Sequence, residues 1–190
     1  MAGRLIVLGR KKLIWTAVMV IGVMMPLMVA SYRVAVEDAA GTVGQVLTYS
    51  SEKEGFKFAY PQGWLLRVEK DFSGGEILEN VTFACPEQTA HGFVQVMKLG
   101  KTIPEYIEDS KKAMAPGYDS LKFGKTKANG QDGYLLTYGR GQGDLRITAV
   151  EHFFERGEKV YRFSYFYRAD SKERYLENLE EMLQSFVLPD

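Results

Sequence analysis

The 190-residue chain carries 24 basic and 24 acidic residues, and its positive charge is not gathered in the way a nucleic-acid surface requires. Its single cysteine excludes an internal disulfide, so an exported domain of this sequence has to be held by its core alone. From Ser51 to Asp190 there are about 140 residues, the size of one domain with a genuine core, and nineteen basic against twenty-two acidic residues leave this part near −3.

The chain opens with a basic segment, residues 1–12, carrying Arg4, Arg10, Lys11 and Lys12. Leu13 to Ala30 then reads LIWTAVMVIGVMMPLMVA, 18 residues without a charge, which as a helix span roughly 27 Å, close to a hydrocarbon core. Only Arg33 follows closely, soon answered by Glu37 and Asp38, so the positive-inside bias keeps the N-terminus in the cytoplasm and exports the rest. A signal peptide has a shorter apolar region and a small-x-small cleavage site, whereas Met28-Val29-Ala30 is a poor one. Residues 13–30 are therefore expected to be a single transmembrane anchor in the cell membrane, with secretion after cleavage as the alternative. Residues 31–50 are small and mixed, as in a spacer, although Val43 to Tyr49 can add an edge strand.

In the domain, residues 51–190, Phe56 to Tyr60 alternates as a strand, stops at Pro61, turns through Gly63 and returns as Leu65 to Glu69. Asp71 to Gly75 is a turn. Val81 to Ala84 and Phe93 to Leu99 are strand-like, with His91-Gly92 as the turn between them. Thr102 and Glu105 form a capping-box pair around Pro104, and Ile103, Tyr106, Ile107 and Met114 share one helical face until Pro116-Gly117. Strands follow at Tyr118 to Phe123, Gly133 to Tyr138 after an Asn129-Gly130 turn, Leu145 to Phe154 and Val160 to Tyr167. The last places Tyr161, Phe163, Tyr165 and Tyr167 on one face. Its cover is a final helix from Asp170, with Glu173 three residues on and Tyr175, Leu176, Leu179, Met182, Leu183 and Phe186 at helical spacing. The fold class is α+β: a largely antiparallel sheet flanked by helices as an α/β/α sandwich, preceded by the one N-terminal transmembrane helix.

No constellation in this pattern carries recognisable chemistry. Gly139 to Asp144 is glycine-rich but leads into a strand instead of a phosphate-binding helix, which leaves Arg140 and Arg146 as a weak anion contact. His91 and His152 lie far apart with no ligand spacing, and Glu151 and His152, as strand neighbours, face opposite ways. The expected place for His152 is a solvent-facing or edge position. Ser50, Ser51, Ser73, Ser110, Ser120, Ser164, Ser171 and Ser185 have no recognisable base, and Glu180-Glu181 reads as a solvated helix face. Asp71 to Glu76 and Asn129 to Gly133 hold oxygen ligands without EF-hand spacing. Asn80-Val81-Thr82 is a formal glycosylation sequon, and Cys85 reads as a small buried hydrophobe. No catalytic, cofactor-binding or metal-ligating residue is assigned, and no cofactor.

Several segments together resemble the PsbP family, extrinsic luminal proteins of photosystem II whose fold is shared with the nuclear-import factor Mog. They are Gly55 to Trp64 (GFKFAYPQGW), Val94-Gln95-Val96 ahead of Pro104-Glu105-Tyr106, Gly133 to Tyr138 (GYLLTY), Gly157 to Tyr161 (GEKVY) and Tyr175 to Phe186 with its Ser185-Phe186 ending. The resemblance implies the PsbP/Mog-like fold and a non-enzymatic domain that docks on, or helps assemble, a membrane-bound complex. In the photosystem such a domain helps retain calcium and chloride. Here an anchor stands where the photosynthetic members have a processed N-terminal segment, and no functional residue is carried over. The expected function is a membrane-anchored extracytoplasmic binding or assembly module with a protein partner at the outer membrane face. The alternatives are an exported small-ligand carrier with an aromatic pocket under the last helix, a photosystem II-associated protein of PsbP type, and an unrecognised hydrolase joining His152 to a carboxylate and a hydroxyl.

Overall fold

The computed structural model describes residues 45–69, 72, 75–113 and 117–189. The basic segment, the 13–30 anchor, most of the 31–50 spacer, much of the Asp71 to Gly75 turn, and Met114 and Pro116 lie outside them. Among the described residues no helix is long and apolar enough to cross a membrane.

The described residues form nine strands and two α-helices: β1 (Val46–Ser50), β2 (Lys57–Pro61), β3 (Leu65–Glu69), β4 (Ile77–Ala84), β5 (Ala90–Met97), α1 (Ile103–Ala113), β6 (Tyr118–Ala128), β7 (Gln131–Arg140), β8 (Ile147–Arg156), β9 (Lys159–Arg168) and α2 (Lys172–Gln184). Seven strands form one sheet in the order β3-β4-β5-β9-β8-β7-β6, every neighbouring pair antiparallel, while β1 and β2 form a separate two-stranded ribbon. The expected β2–β3 hairpin is thus a corner: β2 pairs back to β1, and the chain crosses at Gly63 to start the large sheet. Part of the spacer belongs to the fold through β1.

Strand alternation divides the large sheet into two faces. One face collects Val81, Phe83, Val94, Val96, Phe154, Tyr161, Phe163 and Tyr165, and on it lie the ribbon's Phe56 and Phe58 and the α2 residues Tyr175, Leu179, Met182 and Leu183. Phe163 touches Phe58 edge-on at 6.0 Å between centroids and Phe186 at 5.3 Å. The aromatic strand is covered as its one-sided pattern requires. The other face packs Met97, Leu136, Phe153 and Val160 against Ile103, Tyr106 and Ile107 of α1. Helices on both faces complete the sandwich.

The boundaries shift where polar residues are buried or turns carry left-handed backbone. β4 starts at Ile77, four residues before its apolar run, because Glu79 and Asn80 are buried inside it. The β4–β5 turn falls at Pro86 to Thr89, with Gln88 at φ 59, and His91-Gly92 lies within β5. Asn129 (φ 49) and Gly130 (φ 75) make the expected tight hairpin, which joins strands longer than their apolar cores suggest. At α1 the capping box forms in both directions: the Thr102 amide donates to Glu105 Oε2 at 2.9 Å, and the Glu105 amide donates to Thr102 Oγ1 at 3.4 Å. At α2 the box does not form, because Asp170 is occupied by Arg168 Nε at 3.1 Å and by the Ser171 hydroxyl at 2.9 Å, and a 3₁₀ turn, Ala169–Ser171, precedes the helix. The chain beyond α2 is tied down by Ser185 Oγ, which accepts from the Ala59 amide at 2.8 Å, and by Val187, which bridges to Lys57.

Candidate functional site

The face under α1 holds the groups with the most chemical potential in the domain. β9 places Arg162 and Ser164 inward between Val160 and Phe166, and β8 places Glu151 between Ala149 and Phe153. The β8–β9 register sets Glu151 opposite Ser164 and Phe153 opposite Arg162. Arg162, 7% exposed, donates from Nε to Glu151 Oε2 at 2.7 Å and closes a second contact to the same oxygen through Nη2. Glu151, 1% exposed, accepts the Tyr138 hydroxyl on Oε1 at 2.7 Å and the Ser164 hydroxyl on Oε2 at 3.4 Å. The guanidinium lies between two rings, 4.8 Å from the Phe93 centroid and 5.4 Å from that of Phe153.

Burial is the largest single influence on the Arg162 guanidinium and would push it down, but the Glu151 charge and hydrogen bond, together with Tyr106 and Tyr138, outweigh it and the group is held above its ordinary value. Burial and the Glu151 charge both push the Tyr138 phenol up, so it stays protonated and donates to Glu151. A buried base pinned by an arginine and a locked phenol has no open position for a substrate atom, so the cluster acts as an internal fastener.

A second buried carboxylate, Glu79, sits on the opposite face and accepts the Tyr49 hydroxyl at 2.5 Å and the Ser51 hydroxyl at 2.8 Å. Burial, followed by the Glu79 contact, raises the Tyr49 phenol. A third, Glu54, is taken by Lys159 Nζ at 2.9 Å, while its carbonyl accepts the Tyr161 hydroxyl at 2.9 Å. These two clusters fasten the ribbon and its connecting turn to the large sheet.

The residues singled out from sequence fall as follows. His152 is buried, not at an edge: β8 turns it toward the α2 face, stacked 6.1 Å from Phe154, and burial lowers its pKa to about 4. Its Nδ1 has no hydrogen-bond partner, and Glu151 and Ser164 lie on the other face, so the hydrolase constellation is not assembled. His91 stacks on Phe166 at 5.3 Å on the α1 face, with burial lowering its pKa, so the two histidines do not converge. Among the described residues no group of three or more His, Cys, Asp or Glu side chains is placed to hold a metal.

Arg146 is committed to Asp119, from Nη1 at 2.9 Å, and that contact brings the Asp119 carboxyl down to about 2. A Cβ at Gly139 would lie 2.0 Å from an Arg146 guanidinium nitrogen, so glycine there makes room for the pair. Arg140 rests on the Tyr118 ring at 5.3 Å, so side chains of the hairpin itself engage both arginines. Asn129 donates to the Phe186 carbonyl at 2.9 Å and is not a free ligand. Asn80 is 2% exposed in the middle of β4, out of reach of glycosylation in the folded domain, and Cys85 is buried as expected. Glu180 and Glu181 are exposed. Among the described residues, the aromatic space under α2 where a small-ligand carrier would need its pocket is filled by Phe163, Leu179, Met182 and Phe186, each at 1% exposure or less.

The Glu151–Arg162 pair was missed in the sequence because eleven residues separate its members and only strand register brings them together. Its available signal is a charge at an inward position of two otherwise apolar strands.

No family model matches the chain, and no curated protein matches it. Solved structures do. The solution structure of cyanobacterial PsbP (CyanoP) from Synechocystis sp. PCC 6803 superposes with a TM-score of 0.54 at 18% identity, over 80% of this chain and 98% of that one. A crystal structure from Bacteroides thetaiotaomicron VPI-5482 gives 0.50 at 14% identity over 75% of this chain, and the match spans only 48% of that longer one. LpqN of Mycobacterium tuberculosis, involved in cell envelope biogenesis, gives 0.48 at 9% identity, covering 77% and 91%. At these identities the likeness is one of fold, and the described domain has the PsbP-like fold that its sequence segments resemble.

Proposed function

We propose that the chain is an extracytoplasmic, non-catalytic binding module, tethered to the cell membrane by residues 13–30 and docking through its PsbP-like domain on a membrane protein complex. The observation that carries this reading is the superposition on CyanoP along 98% of that chain, by a domain whose buried carboxylates are all spent on internal contacts. The charge-free run behind four basic residues supports the tether and its orientation. With fifteen residues between Ala30 and the start of β1, an extended spacer reaches at most about 50 Å, so docking happens close to the outer membrane face.

Cross-linking the full-length chain in its native membranes, followed by purification under denaturing conditions, tests the proposal. The expected product is a reproducible adduct with one integral membrane protein. Recovery of uncross-linked chain alone, or turnover of a small substrate by the purified protein, would contradict it.

A further inference from the structure

The two sheets have four strand edges; β2 is bridged by Val187, and among the described residues the other three, β1, β3 and β6, are unpaired and are treated differently. β6, eleven residues long, is broken by a register shift between Asp119 and Lys122, where Ser120 sits at φ 54, and it presents exposed lysines at 122, 125 and 127. β3 carries Arg67 and Glu69, paired at 3.3 Å. Bulges and charges of this kind keep an edge from pairing with another chain. β1 has neither: it reads Val46-Leu47-Thr48-Tyr49-Ser50, without charge or proline, and Val46 and Leu47 are 61% and 43% exposed.

Backbone direction sharpens the contrast. The Ser51 amide donates to Phe56 and the Gln45 carbonyl accepts from Gln62, so the odd-numbered residues of β1 turn their amide and carbonyl groups toward β2. By alternation Val46, Thr48 and Ser50 present theirs to the other edge, which no strand among the described residues pairs. A two-stranded ribbon is marginal alone, and these groups are a template for one more strand.

We propose that the occupant is β1 of a second copy, paired antiparallel about a two-fold axis at Thr48. Thr48 then faces the partner's Thr48 as a hydrogen-bonded pair, Val46 faces Ser50 in both directions, and six backbone hydrogen bonds form from the three outward residues of each copy. On the core-facing side Leu47 lies against the other copy's Tyr49, an aliphatic–aromatic cross-strand pair. Two copies of a charged edge would repel each other, whereas this uncharged one does not, which favours self-pairing. The result is a continuous four-stranded sheet. The area is small, so the association is weak at high dilution and strengthens where copies are concentrated, as on a shared membrane. The edge belongs to the domain, so the pairing goes beyond the proposed docking function and does not require that the tether survive.

Single cysteines test it, because the native Cys85 is fully buried and gives no background. The full-length chain with Thr48→Cys, mildly oxidised in its membranes, is expected to run as a disulfide dimer, since hydrogen-bonded strand partners have Cα atoms about 5.5 Å apart, within disulfide reach. Lys125→Cys on the β6 edge is expected to stay monomeric. A mixture of Val46→Cys and Ser50→Cys chains is expected to cross-link when neither alone does, which fixes the register and guards against a misbehaving Thr48 variant. Thr48→Cys behaving like Lys125→Cys, absence of the mixed Val46–Ser50 product, or shielding of residue 48 from a thiol reagent in monomeric chain would each overturn the proposal. Failure here with a membrane-protein adduct still present would leave the docking function standing.

Discussion

Under α2 the large sheet meets rings and aliphatic chains, with Phe163 set among Phe58, Phe83 and Phe186 and no charge between them. Under α1 the same strands, β8 and β9, turn an arginine and a glutamate inward and close the gap with Tyr138, Ser164, Phe93 and Phe153. The Phe163 cluster is held by transfer of apolar surface from water, the Arg162–Glu151 cluster by mutual compensation of groups that would each be costly alone. The difference teaches that buried charge here marks a fastening, because each partner's remaining bonds are filled from within the sheet.

Breaking the polar face on one side only should have the largest effect. Glu151→Ala leaves Arg162 buried without its counter-charge and is expected to cost about 3–5 kcal/mol in urea unfolding. The double change Glu151→Leu with Arg162→Met should recover most of that loss. Cutting the apolar face is expected to cost a similar or slightly smaller amount: Phe163→Ala removes a fully buried ring, at roughly 3–5 kcal/mol, and no second substitution at a single partner should rescue it. Rescue on one face and not on the other is the contrast in measurable form.

His152 adds a pH test on the apolar side. Its folded pKa, about 4, lies below the ordinary value near 6.5, so the fold favours the neutral ring. Its contribution is fully present above about pH 6.5 and is lost as pH falls toward 4, amounting to at most about 3 kcal/mol. His152→Leu should flatten the urea stability profile in that window and leave the residual slope due to His91 and the carboxylates. The smallest effect belongs to the surface: Thr102→Ala removes one half of the α1 capping box and is expected to cost about 1 kcal/mol, with the sheet unchanged by near-ultraviolet circular dichroism.

The apolar face was readable from sequence because its determinants are local. Tyr161, Phe163 and Tyr165 alternate within one strand, and Tyr175, Leu179, Met182 and Leu183 repeat within one helix. The Thr102–Glu105 box and the Asn129–Gly130 turn were equally legible, each resting on a few adjacent residues. What escaped was non-local. Glu151 meets Arg162 only through the β8–β9 register, Glu79 meets Tyr49 across two sheets, and the early start of β4 was hidden because Glu79 and Asn80 interrupt its apolar pattern. His152 looked like an edge residue because alternation does not say how deeply a strand is buried, and β8 is covered on both sides. The separate ribbon was missed because the Pro61 to Trp64 corner has the composition of an ordinary hairpin turn.

The most direct test of the functional account is the topology of the intact chain. Mass spectrometry of the membrane-extracted protein, combined with protease added to the outer face of sealed right-side-out membranes, reads both ends at once. The account predicts an uncleaved N-terminal segment through Ala30, retained in the membrane, and a domain digested from outside. A domain protected from external protease would contradict it.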